Sequence, residues 1–157
     1  MTPRQFLEVV VLPNVDEFHT HFADLRLAYN AISAVDALAA HLYDWVKTHA
    51  PSTVISITDD TLFRAELAKR DQDFALLRDI AKAQKHVHLT RGTPQVTRAN
   101  QITARPIGFG EGSFGSGRYG GPEQIVVDIS PHNFAYVEAV VDESLTFLER
   151  EMQRLGI

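Results

Sequence analysis

Four cationic or ionisable side chains recur at helical spacing in the middle of this acidic chain. Arg78, Lys82 and His86 are four positions apart, and Lys85 precedes the last of them. At about 100° per residue, all four project within about 100° of one helix face. An arginine can bind a phosphate through two parallel hydrogen bonds, and an imidazole can exchange a proton near neutral pH. Arg78 could therefore hold an RNA phosphate while His86 takes the proton of a 2′-hydroxyl group, with no metal required.

Positive charge is concentrated in the same part of the chain. The protein has 15 Lys and Arg residues and 20 Asp and Glu residues, for a net charge of −5. Residues 74–122 nevertheless contain seven basic residues and only two acidic ones. This imbalance predicts a localised anion-binding surface, to which we assign Lys82, Lys85, Arg91 and Arg98. Two other interpretations stay open: the basic face pairs with acidic helices of this domain or a partner, or it is solvated.

Two acidic residues are predicted to support the cationic face. Asp36 interrupts an otherwise apolar helical seam, and a carboxylate in such a seam must find a hydrogen-bond donor or an opposite charge. Arg78 or a residue of a partner subunit could supply that charge, so that Asp36 would orient Arg78. The alternative is that Val35 faces inward and Asp36 is solvated. We assign Asp79 the same supporting role.

The apolar pattern predicts four amphipathic helices that position these residues. One long helix is expected over residues 16–49, with Asn14 as its N-cap and Pro51 ending it. A second runs from Asp59 or Asp60 to about residue 70, and a third from residues 71–73 to His86. A final helix is predicted over residues 130–155, with its apolar stripe at three- and four-residue spacing.

Residues 88–129 differ from the rest and predict a β-rich insertion. Scattered Thr and Val residues over 88–107 suggest a loose hairpin, and residues 124–129 alternate as a strand. Between them, residues 108–121 contain seven of the nine glycines and match GxGxxG twice. That motif requires a helix directly after it, whereas Pro122 and a predicted strand follow here. We therefore expect a hairpin tip; a phosphate-binding nest and an aromatic surface for single-stranded bases stay open.

Length and composition predict one domain over residues 1–157. The chain is 45% hydrophobic and has no cysteine, which excludes disulfides, thiolate metal sites and a thiol nucleophile. Its apolar runs are shorter than the ~20 residues of a membrane span, and no secretion signal is recognisable, so we expect a cytoplasmic protein. The fold class expected is mainly α: an antiparallel bundle of about four helices with a Gly-rich β-hairpin insertion before the last helix.

The long first helix, the segment RDIAKAQKH at 78–86 and the closing helix together resemble the HEPN superfamily of small helical proteins. Such proteins occur in bacterial toxin–antitoxin and phage-defence systems. The resemblance implies a homodimer that cleaves RNA without a metal, using an Arg and a His four to six residues apart. Arg78 and His86 correspond to that pair, although seven residues separate them here. Because many HEPN-like proteins are inactive, the alternative is a non-catalytic interaction or dimerisation module with a protein partner. No cofactor and no metal are expected.

Overall fold

Helices make up most of the chain, and a small antiparallel sheet precedes the last one, which confirms the predicted fold class. The structure is a computed structural model that describes residues 1–86, 88–90, 92–106 and 123–157. The helices are α1 (Pro3–Phe6), α2 (Leu12–Thr20), α3 (Leu25–His49), α4 (Asp60–Ala68), α5 (Gln72–His86) and α6 (Val137–Arg154). The strands are β1 (Ile102–Arg105), β2 (Gln124–Ser130) and β3 (Asn133–Tyr136), in the order β1-β2-β3.

The helical structure begins earlier than the sequence predicts. Thr2 caps α1 through a reciprocal capping box, and a π-helical turn over Leu7–Val11 connects α1 to α2. This wide turn ends two residues before Pro13, which has no N–H to donate to the preceding turn. The prediction that Asn14 is an N-cap is therefore wrong, because Asn14 lies inside α2 and its amide donates to the Val10 carbonyl.

The helix predicted over residues 16–49 is interrupted. Helix α2 ends at Thr20, and α3 begins at Leu25 after Asp24 accepts hydrogen bonds from the backbone N–H groups of Arg26 and Leu27. Asp24 is a strong N-cap, and its local hydrogen bonds outweigh the continuous apolar spacing. Pro51 follows the end of α3 closely, as predicted.

Helix α3 is the centre of the molecule. It packs against α2, α4, α5 and α6, and buries Ile32, Leu38 and Leu42 completely. Helix α5 also packs against α6, where the rings of Phe74 and Phe147 are 5.8 Å apart between centroids. The apolar faces of α3, α5 and α6 therefore meet in one core.

A buried carboxylate connects α6 to the turn between α4 and α5. Glu151 accepts hydrogen bonds from both terminal nitrogens of Arg70 and from Nη2 of Arg154, the last at 2.8 Å. Burial by itself raises the pKa of Glu151, but the hydrogen bonds and charges of Arg70 and Arg154 together lower it by more, so the net shift is downward. Glu151 is therefore ionised and paired in the folded protein.

The sheet differs from the predicted hairpin over residues 88–107. His88 and Arg98 form an isolated antiparallel bridge, while β1 pairs with β2, placing Ile102 opposite Val127. The prediction that residues 130–133 begin the last helix is also wrong, because Asn133–Tyr136 forms β3 on the other edge of β2. Phe134, which falls within the helix predicted over residues 130–155, instead packs on Val126 and Tyr136. The Gly-rich segment 108–121 lies outside the described residues.

The two ends of the chain meet. Nη2 of Arg4 in α1 donates a hydrogen bond of 2.9 Å to the Ile157 carbonyl. Gly156, just after α6, has a φ of +74°, the left-handed conformation that commonly ends a helix.

Candidate functional site

An open cleft of about 760 Å³ lies beside the cationic face of α5. Helices α3 and α4 contribute to its wall, and the segment that follows α5 completes it. Its volume is within the range of about 300–1,000 Å³ usual for small-ligand sites. Predicted site residues brought together here are Asp36, Arg78, Asp79, Lys82, Lys85 and His86.

Arg78 is half-buried in this cleft and holds a charge that no neighbouring carboxylate pairs directly. Its Nη2 donates 2.8 Å to the carbonyl oxygen of Thr61, a neutral acceptor. Within the described residues, no carboxylate lies at ion-pair distance from it. Burial lowers the pKa of Arg78 and the charge of Arg64 lowers it further, while Asp36 and other nearby acids act in the opposite direction. An anion that entered the cleft would compensate this unfavourable environment.

Asp36 is buried, with 5% of its side chain exposed, so the alternative of a solvated carboxylate is wrong. Its cationic partner is Arg64, not Arg78: Nη1 of Arg64 lies 2.6 Å from Oδ2 of Asp36, and Nη2 lies 2.6 Å from Asp60. Val35 is buried as well, because α3 is surrounded on several sides and its buried face is wider than one stripe. Asp36 thus influences Arg78 through its charge and not through a hydrogen bond.

Asp79 positions the cleft wall. Its Oδ2 accepts a 2.9 Å hydrogen bond from the backbone N–H of Gln95, and its Oδ1 lies 3.6 Å from Nζ of Lys82. Gly92, in the same wall, has a φ of +76°, which a residue with a side chain rarely adopts. Asp79 therefore attaches the loop to α5 and leaves Arg78 without a carboxylate partner, so its supporting role differs from the predicted one.

Two histidines lie at the end of α5. His86 is the last residue of the helix, and the N–H of His88 donates 2.5 Å back to the His86 carbonyl. Both residues are exposed, and both line the cleft. Lys85 is exposed beside them and has no ion pair within the described part of the chain.

The structure does not place every predicted anion-binding residue in the cleft. Arg98 is exposed and forms the bridge with His88, but it is not among the residues that line the cleft. Arg91 lies outside the described residues. Conversely, sequence reasoning missed Arg64, although its spacing of four from Asp60 and the need of Asp36 for a cation were both signals.

Within the described ranges, no group of three or more His, Asp or Glu residues is arranged to hold a metal ion. His19 of α2 contacts Asp142 of α6, with 2.8 Å between Nε2 and Oδ1. In the same ranges, no helix combines the length and apolarity of a membrane span.

Comparison with known proteins identifies no relative. No protein-family model matches the sequence, and neither curated proteins nor solved structures give a significant match. The HEPN resemblance is therefore a prediction that these comparisons neither support nor contradict.

Proposed function

We propose that this protein binds RNA in the cleft beside α5 and cleaves it without a metal. The observation that carries the proposal is that Arg78, a half-buried arginine without a carboxylate partner among the described residues, lines the same cleft as His86. Arg78 binds the non-bridging oxygens of one phosphate, and His86 takes the proton from the adjacent 2′-hydroxyl group. Lys82 and Lys85 attract the neighbouring phosphates.

The charges of the cleft support an anionic ligand. The lining residues include four Lys and Arg residues and two carboxylates. Asp36 is held by Arg64 and Asp79 lies near Lys82, which leaves Arg78 and Lys85 as cations without an ion pair in the described residues. A phosphodiester can neutralise them while its sugar and base occupy the remaining volume.

Binding is tested with a single-stranded oligonucleotide that carries 2′-O-methyl groups and so cannot be cleaved. We expect Arg78→Gln to weaken binding about tenfold or more, since a hydrogen bond to a charged group contributes about 1.5–3 kcal/mol. The slope of log affinity against log salt concentration should also become shallower by roughly the amount expected for one phosphate contact. Arg150→Gln, which removes an exposed arginine of α6 outside the cleft, is the matched control. An equal loss in both variants would reject the cleft as the binding site.

Cleavage is tested with unmodified RNA in the presence of EDTA. We expect products with 2′,3′-cyclic phosphate ends, and we expect His86→Ala to reduce the rate about 100-fold or more. If the wild-type protein neither binds nor cleaves RNA, the alternative of a non-catalytic interaction module replaces this proposal, and a copurifying protein partner is then expected.

We also propose a cytoplasmic homodimer acting in bacterial defence or stress response, as the HEPN resemblance implies. Light scattering should give twice the mass of the chain. Expression in a bacterial host should slow growth, and His86→Ala should relieve that effect. A monomer that is harmless at high expression would argue against this part of the proposal.

A further inference from the structure

The cleft contains a second histidine that the one-base scheme does not use. His88 lines it together with His86, and both residues are exposed. An imidazole is the side chain whose ordinary titration range allows it to act as either acid or base near neutral pH. Two of them at one anion site can perform the two proton transfers of a phosphodiester cleavage.

Backbone hydrogen bonds connect the two histidines to each other and to the segment that follows. The N–H of His88 donates to the carbonyl of His86. The bridge between His88 and Arg98 then holds the second histidine in place, and the N–H of Leu89 donates 2.7 Å to the Thr97 carbonyl. His86 is thus positioned by the helix and His88 by an independent backbone pairing.

Charged groups of both signs share the cleft with the two histidines. A phosphodiester bound there would add negative charge to the same cleft. The charged groups that share the cleft are Asp36 of α3, Arg64 of α4, and Arg78, Asp79, Lys82 and Lys85 of α5.

We propose that His86 and His88 form an acid–base pair for RNA cleavage, an inference that rests on the proposed function. The 2′-oxygen attacks phosphorus while its proton passes to neutral His86. The bond between phosphorus and the 5′-oxygen breaks, and that oxygen takes a proton from the His88 imidazolium. The products are a 2′,3′-cyclic phosphate and a 5′-hydroxyl group. Proton exchange with water restores both histidines, so no other reagent is consumed.

A substrate with an activated leaving group separates the two roles. The leaving group of an RNA dinucleotide is an alkoxide, the 5′-oxygen of the second nucleoside, and it needs a proton. A nucleoside 3′-(4-nitrophenyl phosphate) instead releases a stable phenolate that needs none. We expect His88→Ala to lower the rate on the dinucleotide about 100-fold, the usual contribution of a general acid, and to change the rate on the nitrophenyl ester less than about fivefold. His86→Ala should slow both substrates about 100-fold, because both need the base.

The pH profile supplies a second readout that a merely structural role would not move. The wild-type rate on the dinucleotide should be bell-shaped, since His86 must be neutral and His88 charged. In His88→Ala the fall of the rate at high pH should disappear. His88→Gln, which keeps polarity without proton transfer, should behave like His88→Ala. His132→Ala, which removes an exposed histidine of the β2–β3 turn, should leave both rates unchanged.

The outcomes separate the two proposals. Loss of activity in His86→Ala, with His88→Ala at the wild-type rate on both substrates, would overturn the pair and leave the proposed function standing. Equal losses of His88→Ala on the two substrates would also overturn it, because His88 would then act on folding or binding. A wild-type protein that binds RNA and cleaves neither substrate would overturn both the catalytic proposal and the pair.

Discussion

Asp36 of α3 and Arg64 of α4 form an ion pair, and we expect substitutions of the two residues to destabilise the protein by unequal amounts. In Arg64→Met, the Asp36 carboxylate loses the hydrogen bond to its Oδ2, and its Oδ1 already has no partner among the described residues. A carboxylate with 5% exposure would then be left without a donor. Leaving a buried charge uncompensated costs about 3–5 kcal/mol. In Asp36→Asn, Arg64 keeps its 2.6 Å contact with Asp60, and the amide oxygen can still accept from the guanidinium, so we expect a loss of about 1 kcal/mol.

Urea denaturation followed by circular dichroism measures this asymmetry. With a slope of about 2 kcal/mol per molar urea, Arg64→Met should lower the midpoint by about 2 M, and Asp36→Asn by about 0.5 M. The double variant Asp36→Leu/Arg64→Met should recover most of the loss, because a buried ion pair can often be replaced by apolar residues. If Asp36→Asn is as destabilising as Arg64→Met, or if the double variant is the least stable of all, the reasoning about the uncompensated carboxylate is wrong.

Three further predictions concern the carboxylate on α6 and the cleft wall. Glu151→Gln should destabilise the protein by about 1–3 kcal/mol at pH 7, because the pairing with Arg70 is lost. The pKa of Glu151 is lower in the folded state than in the unfolded state. Its contribution to the free energy of unfolding is therefore complete above the unfolded-state pKa and is lost as the pH falls through the folded-state pKa. The urea midpoints of wild type and Glu151→Gln should accordingly converge in acid. Asp79→Asn should speed hydrogen exchange at the Gln95 amide, measured by NMR, because the acceptor loses its charge; unchanged exchange would contradict the 2.9 Å hydrogen bond. Gly92→Ala should cost about 1–2 kcal/mol in thermal unfolding because of its positive φ. Among the described residues other than its chain neighbours, no atom lies within 4 Å of the added methyl position, so a neutral effect would refute the strain.

The helical parts of the fold follow from local signals, and the errors occur where tertiary or capping interactions compete with periodicity. Apolar spacing predicts α5 and most of α6 because their buried stripes are continuous. The same spacing continues across Asp24, where a side-chain hydrogen bond breaks the helix. Phe134 fits the stripe of α6, yet pairing with β2 draws its segment into the sheet. The apolar periodicity of a segment does not show whether a distant strand such as β2 will pair with it.

The part of the candidate site that lies on a single helix could be predicted from the sequence. Arg78, Lys82, Lys85 and His86 share a face of α5, and that face lines the cleft. Arg64 could not be placed by the same argument, because its relation to Asp36 depends on how α4 crosses α3. Long-range ion pairs of this kind are set by packing and not by sequence spacing.

The hydrogen bond between Arg4 and Ile157 has a practical consequence for handling the protein. Fluorophores attached near these two residues would sit close together in the folded state and separate widely on unfolding. Energy transfer between them would therefore report opening of the terminal segments independently of the cleft.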